Sequence, residues 1–95
     1  MALFTQQGNQ LAIHSAMTVD TVPALLAGVQ LSGELEIDLK QVAEVDSSAI
    51  SLMFEWLRLA QSNKAVVSYS NLPASLVSLA ALYGVLEMIP QHKLH

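Results

Sequence analysis

Four short runs of apolar and polar residues along the chain are typical of strands. The clearest is Glu34–Leu39, in which three aliphatic residues fall on one side and three acids on the other. This period of two residues predicts a strand with one buried face. Leu3–Gln6 and Leu11–Ala16 flank a Gly8-Asn9 turn and predict a hairpin. Ala65–Ser70, which is rich in β-branched and aromatic residues, predicts a fourth strand.

Between and after these runs, apolar residues recur at the spacing of a helix. The predicted helices run from Thr18 or Asp20 to about Gln30, from Asp46-Ser47-Ser48 to about Ser62, and from Leu72-Pro73 to Gly84. Strands separated by helices require crossovers. The order ββαβαβα therefore predicts one small α/β domain over residues 1–95, with a four-stranded mixed sheet and helices packed on it. The tail, from about residue 88, is expected to fray.

The second helix has more apolar surface than a core needs. Its apolar residues between Ala49 and Ala60 cover an arc of roughly 220°, whereas about 100° or somewhat more is enough for an ordinary surface helix. Two explanations are open. Either the third helix covers the surplus, or one flank of the second helix, near Leu52, Trp56 and Leu59, meets another protein.

The composition of the whole chain also indicates more apolar surface than its core can bury. Of its 95 residues 53% are hydrophobic and 13% are charged, and the charged share is about half of that in ordinary domains. A domain of this size leaves part of its apolar surface exposed. The longest apolar runs, Val22–Val29 and Leu76–Leu86, fall short of the roughly 20 residues of a membrane-spanning helix. We therefore expect a cytoplasmic domain that binds a protein and does not insert into the membrane.

Charge and motifs exclude several other classes of function. The net charge of −4 comes from the first 39 residues, and no cluster of Lys and Arg is present to bind a phosphate backbone. Cysteine is absent, and neither a metal-ligand spacing nor a nucleotide-binding loop occurs. We therefore expect no nucleic acid, no cofactor, no metal and no catalytic residues, that is, a protein that is not an enzyme.

The polar cluster Asp46-Ser47-Ser48 remains as the candidate functional site. It is an ordinary helix N-cap if Asp46 or a serine only accepts hydrogen bonds from the free N–H groups of the helix. The same N–H groups and the helix dipole would also stabilise a phosphate on Ser47. A partner-binding role, with possible phosphorylation of Ser47, is the functional alternative.

The stretch Val45-Asp46-Ser47-Ser48-Ala49, placed after a strand and opening an apolar helix, resembles the motif of the STAS domain. STAS domains occur in anti-sigma factor antagonists and sulfate transporters, and the ββαβαβα order agrees over nearly the whole chain. The family's Asp-Ser-[Ser/Thr]-Gly motif corresponds to Asp46, Ser47 and Ser48, with Ala49 in place of the glycine. Asn71-Leu72-Pro73, followed by a helix ending Leu79–Val85, is similar to the stand-alone STAS proteins of the MlaB type.

This resemblance implies a non-enzymatic subunit of a Gram-negative ABC transporter that moves phospholipid and maintains the lipid asymmetry of the outer membrane. The chain would bind the ATPase subunit, and through it the permease and substrate-binding subunits, at the cytoplasmic side of the inner membrane. Asp46, Ser47 and Ser48 would lie at the interface, together with Leu52 and Trp56 on the flank of the helix. The alternative is an anti-sigma factor antagonist that is switched by phosphorylation of Ser47.

Overall fold

The computed structural model describes residues 2–91. Its four strands are β1 (Phe4–Gln7), β2 (Gln10–Ile13), β3 (Glu34–Asp38) and β4 (Val66–Ser70). They form one sheet in the order β1-β2-β3-β4. The hairpin β1–β2 is antiparallel, whereas β2–β3 and β3–β4 are parallel. This confirms the predicted mixed sheet and the ββαβαβα order.

The register of the sheet follows from the alternation in β3. Leu35 pairs with Val67 and Ile37 pairs with Tyr69 across β3 and β4, and all four side chains are buried. A shift by one residue would bring the acids of β3 to the buried face, so burial specifies this pairing. The Tyr69 hydroxyl donates a 2.7 Å hydrogen bond to the carbonyl oxygen of Met53, which fixes β4 to the overlying helix.

Three helices pack on the buried face of the sheet. They are α1 (Val22–Gly28), α2 (Ser47–Ser62) and α3 (Ala74–Leu82). Both parallel crossovers progress in the same direction along the sheet, and right-handed crossovers of that kind place their helices on the same face. α2 lies in the middle, where it contacts β4 below and α1 and α3 on its two sides. The opposite face of the sheet carries mostly polar residues and is open.

Two element ends differ from the predicted ones for local reasons. The second strand ends at Ile13 rather than at Ala16, because the N–H groups of His14 and Ser15 both turn to the carbonyl of Leu3. The first helix begins after Thr21, so neither Thr18 nor Asp20 is its cap. The Thr21 hydroxyl instead donates a 2.7 Å hydrogen bond to the carbonyl of Ala16.

The C-terminal segment is held by the sheet. A 3₁₀ turn at Leu86–Met88 leads to Ile89, whose side chain is buried. The N–H of Tyr69 donates a 2.8 Å hydrogen bond to the carbonyl of Pro90. The prediction that the chain frays from residue 88 is therefore wrong for residues 88–91, since these residues cover the free edge of β4. Residues 92–95 lie outside the described part of the chain.

The lengths of the helices show whether any of them could span a membrane. The longest helix, α2, has 16 residues, which corresponds to about 24 Å at 1.5 Å per residue. None of the helices formed by residues 2–91 is long and apolar enough to cross a bilayer.

Candidate functional site

Asp46 is the N-cap of α2, which decides between Asp46 and the serines as the capping residue. Its Oδ1 accepts a 2.8 Å hydrogen bond from the N–H of Ser48. Its Oδ2 accepts a 3.0 Å hydrogen bond from the N–H of Val19. The main chain of Asp46 also donates to the carbonyl of Met17. One carboxylate therefore starts α2 and holds the segment before α1 against it.

These hydrogen bonds favour the charged form of the carboxylate. The N–H of Val19 contributes most, and together with the groups of Ser48 it lowers the pKa of Asp46, while partial desolvation acts in the opposite direction. Because both oxygens are occupied by groups of the chain, Asp46 has a structural role at this site. It positions Ser47 at the start of α2.

We expect Asp46→Ala to lower the melting temperature at neutral pH by about 5 °C, because the N–H groups of Ser48 and Val19 lose their acceptor. The pKa of Asp46 is lower in the folded than in the unfolded chain. Its contribution is therefore fully present above about pH 4 and is lost as the pH falls through the folded-state pKa. The difference in melting temperature between wild type and variant should thus shrink towards pH 2.

Asp20→Ala provides the matched control, since this exposed carboxylate follows the same segment but has no hydrogen bond to α2 among the described residues. A pH-independent effect of Asp46→Ala, or an equal effect of Asp20→Ala, would contradict the assigned role.

Ser47 is the first residue of α2 and its side chain is exposed. Its hydroxyl makes no hydrogen bond to any residue between 2 and 91. Ser48 is half-buried, and its N–H is taken by Asp46. Of the three motif residues, Ser47 therefore has the side chain that is free to contact another molecule.

Ser47 stands at one end of a groove of about 580 Å³ between α2 and the C-terminal end of α3. The residues of α2 that line it recur every three or four positions, so they form one stripe along the helix. The lining consists of Ser47, Ile50, Ser51, Phe54, Glu55 and Arg58 from α2, with Tyr83 and Val85 from the segment after α3. The groove is apolar in the middle and polar at its ends.

An ion pair closes the end of the groove opposite Ser47. The Nε of Arg58 donates a 2.9 Å hydrogen bond to Glu55, and a second guanidinium nitrogen reaches the other carboxylate oxygen. This hydrogen bonding lowers the pKa of Glu55 and raises the pKa of Arg58. The two charges neutralise each other, so this end of the groove is polar without a net charge.

Leu52 and Trp56 do not lie on this surface. Leu52 is 1% exposed and Trp56 is 0% exposed, because the sheet, α1 and α3 enclose that side of α2. The prediction that these two residues contact a partner is wrong. The surplus apolar arc is covered by neighbouring helices, and α1 shares this role with α3.

Three of the five large apolar side chains exposed among residues 2–91 lie instead on a segment that the helical arc of α2 did not indicate. Leu82 is 78% exposed and Tyr83 is 55% exposed at the end of α3, and Met88 is exposed nearby. A signal for this was present in the sequence, because Ala74–Leu82 has apolar residues on all its sides. A helix of that kind needs cover on every side, and α3 receives it on one side only.

The described residues provide neither a histidine partner for Ser47 nor a metal site. His14 is hydrogen-bonded to Thr5 on β1 and to Gln41 in the loop after β3, so it is not paired with Ser47. Between residues 2 and 91 no group of His, Asp or Glu side chains is arranged to hold a metal ion.

The comparisons with known proteins agree with this fold. The chain is similar to a protein of Thermotoga maritima described as an anti-sigma factor antagonist, with a TM-score of 0.72 and 8% identity over 96% of this chain and 85% of that one. It is also similar to part of the murine anion transporter Slc26a9, with a TM-score of 0.69 and 15% identity over 87% of this chain and 15% of that one. No curated protein sequence matches it significantly.

A sequence-family model identifies the family, whereas the two similar structures indicate only the fold. The model described as "MlaB, STAS domain" matches residues 3–90, which include every strand and helix described above and the whole groove. The chain therefore belongs to the STAS domain family, within its MlaB type.

Proposed function

We propose that this protein is the STAS subunit of a Gram-negative phospholipid ABC transporter, and that it acts by binding the ATPase subunit at the cytoplasmic side of the inner membrane. STAS domains are generally non-enzymatic modules. The observation that carries the proposal is the groove, in which a free serine hydroxyl at a helix N-terminus lies beside exposed apolar side chains. In this arrangement the chain supports the transporter, and with it outer-membrane lipid asymmetry, without touching lipid.

The geometry suits protein recognition better than catalysis. Phe54 and Tyr83 present aromatic surface on the two walls of the groove, and aromatic anchors commonly dominate protein interfaces. Ser47 supplies a hydrogen-bonding group at the edge of this apolar surface. The groove thus has an apolar centre with polar ends, which is the usual composition of an interface.

Binding here would stabilise whichever state of the ATPase offers the complementary surface. The free energy gained by docking would favour that state over others, and the ATPase would favour docking by the same amount. The permease and substrate-binding subunits would then join through the ATPase.

The direct test is co-expression with the phospholipid-transport ATPase and permease of the same organism, followed by purification through a tag on the ATPase. We expect a stoichiometric band of 10.2 kDa. Its absence under conditions in which the ATPase and permease co-purify would contradict the proposal.

Tyr83→Ala should weaken the complex with the ATPase by about tenfold or more, because an aromatic anchor beside the groove is lost. Val66→Ala is the matched control, since Val66 is also an exposed apolar residue but lies on β4, away from the groove. The measurement is the dissociation constant by biolayer interferometry. Equal constants for the two variants would show that the groove is not the docking surface.

Phosphorylation of Ser47 defines the second candidate, an anti-sigma factor antagonist. The exposed hydroxyl at the N-terminus of α2 favours it, since a phosphate there would be stabilised by the helix dipole. The same charge would disrupt a partner that covers Ser47. Intact-mass analysis of the native protein would show a phosphate on Ser47 if this switch operates, and co-purification with a kinase instead of the ATPase would favour this candidate.

A further inference from the structure

A second concavity adjoins the exposed end of α3. It has a volume of about 270 Å³ and is lined by Ala81, Gly84, Leu86 and Glu87. Gly84 has a φ of +70°, and a Cβ built at this position would meet no atom within 4 Å, so the space above it is open. Three apolar residues and one carboxylate therefore surround a small open space beside Tyr83.

The carboxylate of Glu87 has no cation to neutralise it within residues 2–91. The ion pair formed there joins Arg58 to Glu55, and Glu87 makes no hydrogen bond to a described residue. Lys40 and Lys64 follow β3 and α2 in other parts of the fold. Glu87 is exposed, so its charge is stabilised by water until a partner covers it.

We propose that this concavity receives a Lys or Arg side chain of the partner that docks on the groove. The methylene stem of such a side chain would pack on Ala81, Gly84 and Leu86, and its charged head would bond to the Glu87 carboxylate. This inference rests on the proposed function, because it names the chemistry that the ATPase presents next to its apolar anchor.

Two observations favour a basic protein segment over other occupants. The chain has a net charge of −4, and Arg58, which lines the groove, is already paired with Glu55. The exposed Glu87 carboxylate thus belongs to a chain with an excess of acids, which attracts a basic surface and repels anionic lipid headgroups. The exposed Leu82 and Met88 beside the concavity would be covered by the same partner.

The experiment compares Glu87→Gln with Glu34→Gln in binding to the purified ATPase–permease complex. Both substitutions remove one exposed carboxylate and change the net charge equally, but Glu34 lies on β3, away from the helices. We expect Glu87→Gln to weaken binding about five- to tenfold at 50 mM NaCl, and Glu34→Gln to remain within about twofold of wild type. The deficit of Glu87→Gln should shrink at 500 mM NaCl, because salt screens the lost attraction.

Each outcome decides the inference. Equal binding by both variants would overturn it while leaving the proposed function intact, whereas failure of the wild-type chain to bind the complex would overturn both. Cosedimentation of the wild-type chain with vesicles of ethanolamine phospholipid, whose headgroup carries an ammonium group, lost in Glu87→Gln, would assign the concavity to a lipid surface and overturn the inference. Circular dichroism of both variants confirms that neither change unfolds the domain.

Discussion

Trp56→Ala is expected to lower the free energy of unfolding by about 3–5 kcal/mol. The indole is fully buried between α2 and the rest of the core, so its removal leaves a cavity that the neighbouring elements fill only in part. Small domains have about 5–15 kcal/mol of stability in total, so this variant should be close to unfolding at 37 °C. Urea denaturation followed by circular dichroism measures the change without relying on the fluorescence of the removed residue.

The control for this prediction is Tyr83→Ala, which removes an aromatic side chain of similar size from the surface. It should change stability by less than about 1 kcal/mol while it weakens the complex with the ATPase. Trp56→Ala should reduce co-purification only in proportion to the unfolded fraction. A variant Trp56→Ala that unfolds at the urea concentration of the wild type, yet loses the ATPase, would show that Trp56 acts at the interface after all.

Ser47→Glu is expected to weaken the proposed complex about 100-fold or more without destabilising the isolated domain. In the complex the carboxylate would lose its hydration beside the apolar wall formed by Phe54 and Tyr83, and no described cation stands next to it to compensate. In the free domain the same charge lies at the first residue of α2, where the helix dipole favours it. The dissociation constant should therefore rise, while the melting temperature should stay the same or rise slightly.

Ser32→Glu is the matched control, because it adds the same charge at an exposed serine in the turn before β3. It should bind within about threefold of wild type, as expected for a charge outside the interface. Ser47→Ala separates the charge from the loss of the hydroxyl, and a change of about tenfold or less is expected. Binding of Ser47→Glu equal to that of Ser32→Glu would place the docking surface elsewhere on the domain.

Local patterns were sufficient to predict most of the fold. A strand at Glu34–Leu39 and a turn at Gly8-Asn9 are predicted from neighbouring residues alone. The structure has β3 and the turn between β1 and β2 at these positions. The cap at Asp46 is local in the same way, since its carboxylate bonds to an N–H two residues later. The bond from Val19 to the same carboxylate spans 27 residues, and no local pattern indicates it.

The candidate site was predicted only in part, because contacts between residues that are distant in the sequence leave no local pattern. The sequence motif placed Ser47 at the start of α2, and the structure shows that its side chain is exposed. The helical arc of α2 shows which residues are apolar, but it does not show which neighbours cover them. The prediction therefore placed Trp56 on the surface and did not indicate the exposed Leu82 and Tyr83. The exposure of all three side chains depends on how α1 and α3 pack beside α2.

The sequence by itself determined the order of elements, the buried face of the strand at Glu34–Leu39 and the start of α2 at Asp46-Ser47-Ser48, because all of these follow from periods and contacts within a few residues. It also determined that the chain has more apolar residues than a small core can hold. Only the tertiary structure decided where the surplus lies. Packing of three helices on one face of the sheet buries Trp56 and leaves Leu82 and Tyr83 exposed at the end of α3, where Tyr83 lines the same groove as Ser47.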